Sequence, residues 1–171
     1  MRFTYCPDCG KLLSHRDLGD EKNVPWCDDC NRPFFDTFYT CIIAIARCGD
    51  KYALIRQKND DSETNTEKFI CVSGYIGVCE SAEAAAIREI KEELGIDACK
   101  VTMISSYVYE KKKMLMIGFC ADVQQTEFNI SGELIEAHWF DKDTAIEKLK
   151  NTSIGKELLL DILKREEKKN G

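Results

Sequence analysis

Carboxylates are the first residues in this chain whose spacing indicates chemistry. Glu89, Glu92 and Glu93 stand at positions i, i+3 and i+4 of an apolar-periodic segment, residues 81–94. These spacings bring side chains onto one face of a helix. Carboxylates that share a face repel each other unless a cation lies among them, and oxygen ligands favour Mg²⁺ or Mn²⁺. A solvated acidic face is the alternative explanation.

The segment around these glutamates has the features of a complete helix. Ser81 is a candidate N-cap, and Gly95 a candidate C-terminal stop. Arg88 adjoins the acidic cluster and is placed to orient one of its carboxylates, and Glu80 could fold back from the N-cap side. The residues that we expect on the core face are Ile87, Ile90 and Leu94.

Four cysteines form a second candidate site. Cys6 and Cys9 form one pair with two residues between them, and Cys27 and Cys30 form another. Two such pairs, joined by residues 10–26, are typical of a four-thiolate zinc site, because each short spacer turns two sulfurs toward one tetrahedral ion. A redox dithiol and two disulfides are the alternatives, and no thioredoxin-like βαβ pattern supports them. We predict a zinc ribbon with a structural Zn²⁺.

Strand and helix patterns divide the chain into two predicted domains. Residues 1–35 form the zinc ribbon, and residues 36–171 form a larger domain. In the larger domain we predict strands over residues 40–46, 51–57, 69–72, 101–109, 114–123 and 137–140, and helices over residues 81–94, 144–149 and 153–168. Residues 58–68 are predicted to be a polar, mobile loop. This mixture predicts an α+β fold.

Composition and charge exclude several classes of protein. The 171 residues are 44% hydrophobic and 32% charged, which is a globular mixture and not a disordered one. A net charge of −6 disfavours nucleic acid as a partner. The longest nearly uninterrupted apolar run, residues 114–121, is too short to cross a membrane. The other six cysteines are expected mostly in the core, and the start of the chain has no export signal, so we expect a soluble, cytoplasmic protein.

Residues 74–96 resemble a known signature. They match the Nudix box of the Nudix hydrolases at all of its defined positions, which are Gly74, Glu80, Arg88, Glu89, Ile90, Glu92, Glu93, Gly95 and Ile96. The four-cysteine ribbon, residues 114–119 and residues 133–140 are similar to the zinc-ribbon branch of this family that contains the NADH pyrophosphatases. The resemblance covers most of residues 1–140.

The resemblance implies a fold, a reaction and a set of ligands. The fold is an αβα sandwich with a mixed sheet, and the reaction is the Mg²⁺- or Mn²⁺-dependent hydrolysis of NDP-X to a nucleotide and phosphorylated X. The catalytic residues implied are Arg88, Glu89, Glu92 and Glu93. The metal ligands implied are the Ser73 carbonyl and the carboxylates of Glu89, Glu92, Glu93 and Glu136. A solvated turn residue is the alternative interpretation of Glu136.

The chain departs from the NADH pyrophosphatases at one motif. Their Ser-Gln-Pro-Trp-Pro-Phe-Pro-Gln-Ser stretch aligns with residues 106–114, SYVYEKKKM, and only the first serine is shared. A strong preference for NADH is therefore not expected. Phe35, Tyr75 and Tyr109 are candidate substrate contacts, and simple packing is the alternative for Phe35 and Tyr109. The three lysines at residues 111–113 form either a solvated turn or a phosphate clamp.

Two classes of function fit these observations. The first is a metal-dependent nucleotide pyrophosphatase that acts on a small molecule such as NAD(H) or ADP-ribose. The alternative is a nucleotide-binding sensor or adaptor whose zinc ribbon docks a partner. A pure binding module has no need of a self-repelling carboxylate cluster, so the glutamates favour the enzyme. The ribbon is expected to be a structural staple or a dimerisation element, which makes a homodimer a possible assembly.

Overall fold

The computed structural model describes residues 3–35, 37–58, 69–124, 126–149, 151 and 153–170. The chain forms two compact units, Met1–Tyr39 and Thr40–Gly171. The assignment of residues 1–35 and 36–171 to two functional domains stays a prediction. The polar loop predicted over residues 58–68 lies, except for Lys58, outside the described residues.

The first unit contains a small three-stranded antiparallel sheet. Its strands, in the order β1-β2-β3, are β1 (Ser14–Leu18), β2 (Glu21–Cys27) and β3 (Arg32–Pro33). Before β1, the backbone N–H of Gly10 donates to the Cys6 carbonyl at 2.8 Å, which closes a tight turn between the first two cysteines and the strand. Cys6, Leu13, Cys27 and Phe34 form its buried hydrophobic cluster. A core of this size needs a further staple, and a metal ion would supply one.

The second unit is built on a six-stranded sheet. Its strands are β4 (Tyr39–Cys48), β5 (Lys51–Gln57), β6 (Val72–Tyr75), β7 (Ala98–Tyr109), β8 (Met114–Val123) and β9 (Leu134–Phe140). The order is β7-β8-β4-β5-β9, and β6 pairs with the first half of β4. β4 is central and covered on both faces, which explains why residues 41–46 are a continuous apolar run.

Helices cover both faces of this sheet. They are α1 (Ala82–Leu94), α2 (Lys142–Lys148) and α3 (Ile154–Asn170). On one face, Ile42, Ala44 and Ile55 pack with Ala86 and Ile90 of α1, and we call this cluster the α1-side core. On the other face lies the α3-side core, whose members include Cys41, Ile43, Leu54, Leu158 and Ile162. Alternate residues of β4 therefore face opposite helices.

Both ends of α1 are capped. The Ser81 hydroxyl accepts from the backbone N–H of Ala84 at 3.1 Å, and Gly95 adopts a left-handed conformation with φ of 72°. The carbonyls of Glu93 and Leu94 accept from the backbone N–H groups of Ser131 and Asn129. These bonds satisfy groups that a helix terminus leaves free, so the helix that carries the glutamates is held at both ends.

The structure confirms the α+β prediction and corrects some details. Ile90 and Leu94 are buried as predicted, but Ile87 is 44% exposed, because the two residues before it, Ala85 and Ala86, fill the α1-side core instead. α2 begins before residue 144 because the Asp141 carboxylate caps it. Of the six unpaired cysteines, Cys41, Cys71 and Cys120 are buried and Cys79 and Cys99 are exposed. No helix in the described part of the chain is long and apolar enough to span a bilayer.

Candidate active site

Glu89 lies directly over the backbone of β6. A Cβ atom added to Gly74 would overlap the carboxylate of Glu89, so the glutamate occupies the space that any other residue at position 74 would fill. Gly74 pairs with Ile42 of β4, which places it on the face of the sheet that α1 covers. The close approach therefore brings the first carboxylate of the acidic cluster next to Ser73 and Gly74.

Arg88 holds the remaining parts of the box together. Its guanidinium binds both carboxylate oxygens of Glu80, with N–O distances of 2.8 and 3.0 Å. It also donates to Glu89 at 2.6 Å, to Glu92 at 3.0 Å and to the Tyr75 carbonyl at 3.0 Å. The Arg88 guanidinium, with a further bond from the Gly77 N–H, lowers the pKa of Glu80 to about 2. Arg88 is thus a positioning residue that joins the loop, strand β6 and α1.

Among the glutamates of the box, Glu93 is the one for which the described residues record no ion pair. It is only 6% exposed, and its Oε2 atom has no hydrogen-bond partner among the described residues. Burial raises its pKa to about 7, and the charges of Glu89, Glu133 and Glu92 add to the increase, while a hydrogen bond from Gln57 opposes it. A buried carboxylate of this kind is costly unless a cation binds it.

Glu133 and Gln57 are contributors that the sequence did not reveal. Both act on Glu93 from outside α1, because Gln57 ends β5 and pairs with Leu134, the residue after Glu133. In the sequence, Glu133 is an isolated glutamate just before a strand, and nothing in the spacing around it distinguishes it from an ordinary surface residue. The register of β5 and β9 brings Glu133 to the box.

Glu136 has a different set of neighbours. Arg56 lies opposite it in the β5–β9 register, with 2.8 Å between Arg56 Nε and Glu136 Oε1, and His138 Nε2 lies 3.0 Å from Glu136 Oε2. The His138 hydrogen bond and the Arg56 charge lower the pKa of Glu136. Arg56 follows Ile55 of the α1-side core, so alternation places the Arg56–Glu136 pair on the face opposite α1. Its role as a metal ligand stays a prediction.

A divalent cation suits the donor set of the box. The carboxylates are hard oxygen donors, and the unpartnered, buried oxygen of Glu93 is stabilised by a nearby positive charge. In the structure, Arg88 supplies the only cationic partner that the described part of the chain records for Glu89 and Glu92. The roles of Ser73, Glu89, Glu92 and Glu93 as metal ligands stay predictions.

The four paired cysteines come together as a cluster. All four sulfurs lie within 4.8 Å of one another, with 3.5 Å between Cys9 Sγ and Cys27 Sγ and 3.8 Å between Cys6 Sγ and Cys30 Sγ. The thiols are free, so the cysteines form no disulfide. Hydrogen bonding with Cys9 and Cys27, in which Cys30 keeps its proton, raises the pKa of the Cys30 thiol. The cluster can hold a metal ion.

The predicted substrate contacts have different surroundings. Tyr75 is 56% exposed and follows Gly74 in β6. Tyr109 is half-buried and packs against the α3-side core, in agreement with the packing alternative. Phe35 belongs to the first unit and is half exposed. Their contacts with a substrate stay predictions.

A cavity of about 1210 Å³ lies away from the box. Arg47, Tyr52, Asp141 and Lys142 are among its lining residues, at the turn between β4 and β5. Gly74 pairs with the opposite end of β4, and no residue of the box lines this cavity. Its size therefore does not identify it as the catalytic centre.

Comparison with known proteins establishes the family. The model of the NUDIX domain matches residues 38–162, and the chain belongs to the Nudix family. The NAD-capped RNA hydrolase NudC of Vibrio atlanticus (strain LGP32) is 29% identical over 144 residues, which cover 82% of this chain and 49% of the relative. The NAD-capped RNA hydrolase NUDT12 of Pongo abelii is 29% identical over 86% of this chain and 33% of its own. The chain thus spans half or less of these relatives, and the predicted family and branch are confirmed.

Solved structures confirm the predicted fold. A NUDIX hydrolase from Nitrosomonas europaea superposes with a TM-score of 0.69 at 17% identity, over 92% of this chain and 88% of that one. The NUDIX domain of Shewanella oneidensis NrtR, solved in complex with ADP ribose, gives a TM-score of 0.64 at 12% identity over 77% and 90% of the two chains. At these identities the likeness shows the shared fold alone.

Replacing Gly74 by alanine tests the close approach of Glu89. Since the added methyl group overlaps the carboxylate, we expect Gly74→Ala to weaken Mn²⁺ binding by about tenfold or more. Gly132→Ala is the matched control, because a Cβ there meets no atom within 4 Å. Titration of Mn²⁺ followed by electron paramagnetic resonance measures both. Equal affinities for the two variants would contradict the role of Gly74.

The pKa of Glu93 predicts how stability depends on pH without added Mg²⁺ or Mn²⁺. Its pKa rises from 4.5 to about 7 on folding, so the folded protein keeps a proton that the unfolded chain loses over this range. Stability therefore falls as pH rises from about 4.5 to 7, by on the order of 2 kcal/mol, and the loss is constant above that range. In Glu93→Gln this loss should be absent, so the variant gains relative to the wild type across the window.

Urea denaturation at several pH values between 4.5 and 8 measures this gain. Glu83→Gln on the exposed side of α1 is the control, and its difference from the wild type should not grow across the same window. A constant difference between Glu93→Gln and the wild type would show that Glu93 ionises normally.

Proposed function

We propose that this protein is a Mg²⁺- or Mn²⁺-dependent hydrolase that cleaves the diphosphate linkage of a nucleoside diphosphate derivative. NDP-X would be converted to a nucleoside monophosphate and phosphorylated X, with NAD(H), ADP-ribose or a related compound as substrate. The observation that carries the proposal is the buried carboxylate of Glu93 beside Glu89 and Glu92, whose Oε2 atom has no hydrogen-bond partner among the described residues. A binding module gains nothing from this costly arrangement, whereas a metal-dependent hydrolase requires it.

The ligands proposed for the catalytic ion come from two elements. The carboxylates of Glu89, Glu92 and Glu93 come from α1, and the carbonyl of Ser73 comes from β6, next to the position where Glu89 meets Gly74. Glu136 of β9, which the family resemblance also implies as a ligand, lies on the opposite face of the sheet beside Arg56 and would have to leave that ion pair to reach the ion. When bound, the divalent ion neutralises the diphosphate and lowers the pKa of a coordinated water.

In the proposed reaction the box accepts one proton, while the bonds that form and break are both at phosphorus. The oxygen of water attacks one phosphorus, the bond from that phosphorus to the bridging oxygen breaks, and the bridging oxygen leaves on the second phosphate. The proton of the water passes to a carboxylate of the box. Arg88 keeps Glu89 and Glu92 oriented through its bonds to both, and its bonds to Glu80 and the Tyr75 carbonyl fix the guanidinium itself.

A second ion is proposed for the cysteine cluster. Four sulfurs within 4.8 Å match the tetrahedral all-thiolate set that Zn²⁺ prefers, and the surrounding core is small. We assign this Zn²⁺ a structural role, because four protein ligands leave no open position for a substrate. Cysteines that bind a metal instead of forming disulfides are typical of a reducing compartment, which supports a cytoplasmic location.

The substrate range follows from the segment that replaces the proline-rich motif. Residues 106–114 form the end of β7, a short turn and the start of β8, and they contain no proline. We therefore propose a broader specificity than NADH alone. Some relatives are named for NAD-capped RNA. The net charge of −6 argues for a small-molecule substrate in this protein.

The alternative is a nucleotide-binding sensor or adaptor. The NUDIX domain of Shewanella oneidensis NrtR, solved with ADP ribose bound, is an example of this fold holding a nucleotide of the kind that the alternative requires. This alternative predicts tight binding of a nucleotide without turnover in the presence of a divalent ion.

A substrate panel decides between hydrolysis and binding. With Mg²⁺ or Mn²⁺, we expect turnover of at least one of NADH, NAD⁺, ADP-ribose, FAD, CoA and diadenosine polyphosphates, with products separated by chromatography. Glu89→Gln, Glu92→Gln or Glu93→Gln should lower the rate by about 10²-fold or more without unfolding the protein. Glu83→Gln on the same helix should retain the rate. Binding without turnover would establish the sensor, and full activity with all three glutamines would place the active site elsewhere.

The metal content of the purified protein tests the zinc proposal. Elemental analysis should find about one tightly bound Zn²⁺ per chain, since thiolate sites retain zinc strongly. Cys27→Ser should lose the metal, while Cys99→Ser, at an exposed cysteine outside the cluster, should keep it. A zinc-free protein with reduced thiols would contradict the proposal.

A further inference from the structure

Three adjacent lysines stand out in an otherwise acidic protein. Lys111, Lys112 and Lys113 occupy the turn between β7 and β8, and all three are exposed. Within the part of the chain that the structure describes, none of their ammonium groups is recorded in an ion pair, not even with Glu110, which begins the turn. Clustered like charges without carboxylate partners repel each other, so an anionic ligand would stabilise them.

The turn is held in one place by its flanking residues. Tyr109 and Met114 pair across the hairpin, and both pack against the α3-side core. Lys113 has a left-handed conformation, and its backbone N–H donates to the Glu110 carbonyl at 3.1 Å. The lysines therefore project from a structured hairpin end, which reduces the entropy lost when they bind a ligand.

The turn lies at the same end of the sheet as the Nudix box. Cys41, near the start of β4, pairs with Tyr75, the residue after Gly74. Strand β8 lies beside β4, and Arg47 Nε near the end of β4 donates to Asp122 near the end of β8 at 2.8 Å, so the start of β8 lies beside the start of β4. The residues that flank the lysines pack against the α3-side core, which contains Cys41. The lysine turn and the start of the box therefore lie at the same end of the sheet.

We propose that the lysine turn binds a phosphate group that the substrate carries outside its scissile diphosphate. The inference rests on the proposed hydrolase function and defines its substrate class further. The scissile diphosphate would be neutralised by the divalent ion at the glutamates, so an additional phosphate needs its own cations. Lysine ammonium groups bind phosphate as point charges and tolerate several positions of the group.

Substrates that differ by one phosphate test this proposal directly. NADP⁺ differs from NAD⁺ by a 2′-phosphate, and CoA differs from dephospho-CoA by a 3′-phosphate. A third comparison uses NAD⁺ extended by one nucleotide, in which the added group is a phosphodiester. It distinguishes binding of a terminal phosphate from binding of a nucleic-acid backbone. In at least one of these three comparisons, we expect the wild type to show a kcat/KM about tenfold higher for the compound with the added phosphate at low salt. This preference should decline as the salt concentration rises.

Charge removal at the turn should abolish that preference. The triple variant that combines Lys111→Gln, Lys112→Gln and Lys113→Gln tests this. In each pair of substrates, the ratio of kcat/KM with the added phosphate to kcat/KM without it should fall close to one. The kcat/KM values for NAD⁺ and dephospho-CoA should stay unchanged. The matched control removes the same total charge at the other end of β4, from Lys51, Lys142 and Lys164, and should preserve the ratio. The variant that combines Lys111→Arg, Lys112→Arg and Lys113→Arg keeps the three charges and should keep the preference. A preference that survives the triple glutamine variant, or a wild type without any preference, overturns the proposal.

A binding measurement separates this proposal from the proposed function. The Kd values of NAD⁺ and NADP⁺, and of dephospho-CoA and CoA, are measured by calorimetry without added divalent ion, for the wild type and the triple glutamine variant. If no compound is hydrolysed, the hydrolase proposal fails, while a Kd ratio that depends on the lysines still supports the phosphate site. If hydrolysis is normal and neither ratio depends on the lysines, the turn is a solvated hairpin end.

Discussion

The mutual repulsion of carboxylates on one helix is the constraint on which the rest of the second unit depends. Glu89, Glu92 and Glu93 lie within one turn of α1, and Glu133 adds its charge from the adjoining loop. Such a cluster opposes folding unless positive charge or protonation relieves it. The structure uses both means, because Arg88 binds Glu89 and Glu92, while the buried Glu93 has a raised pKa.

Arg88 also explains why the loop before α1 has a defined shape. Its guanidinium binds the Glu80 carboxylate, which in turn accepts from the Gly77 N–H at 2.8 Å. The same guanidinium reaches the Tyr75 carbonyl at the end of β6. One side chain thus links strand, loop and helix.

The scaffold around the helix leaves little freedom for the glutamates. Ser81 and Gly95 cap the two ends of α1, and the carbonyls of its last residues bind the loop before β9. Gly74 allows the Glu89 carboxylate to rest on β6. Carboxylates held in place in this way would need little movement to bind the ion proposed for them.

The sequence alone determined the features that depend on local spacing. Each of these features depends on residues that are close in the sequence. They are the box, the cap residues of α1, the apolar run of β4 and the spacing within each cysteine pair. Periodicity and turn chemistry therefore sufficed to predict the α+β fold and the cysteine cluster. The tertiary structure decided which distant residues share a neighbourhood. The β5–β9 register paired Glu136 with Arg56 and brought Glu133 close to Glu93, and the packing of Ala85 and Ala86 left Ile87 exposed. Register and packing arise from contacts between residues far apart in the chain, and no local pattern encodes which of two similar glutamates will face the helix.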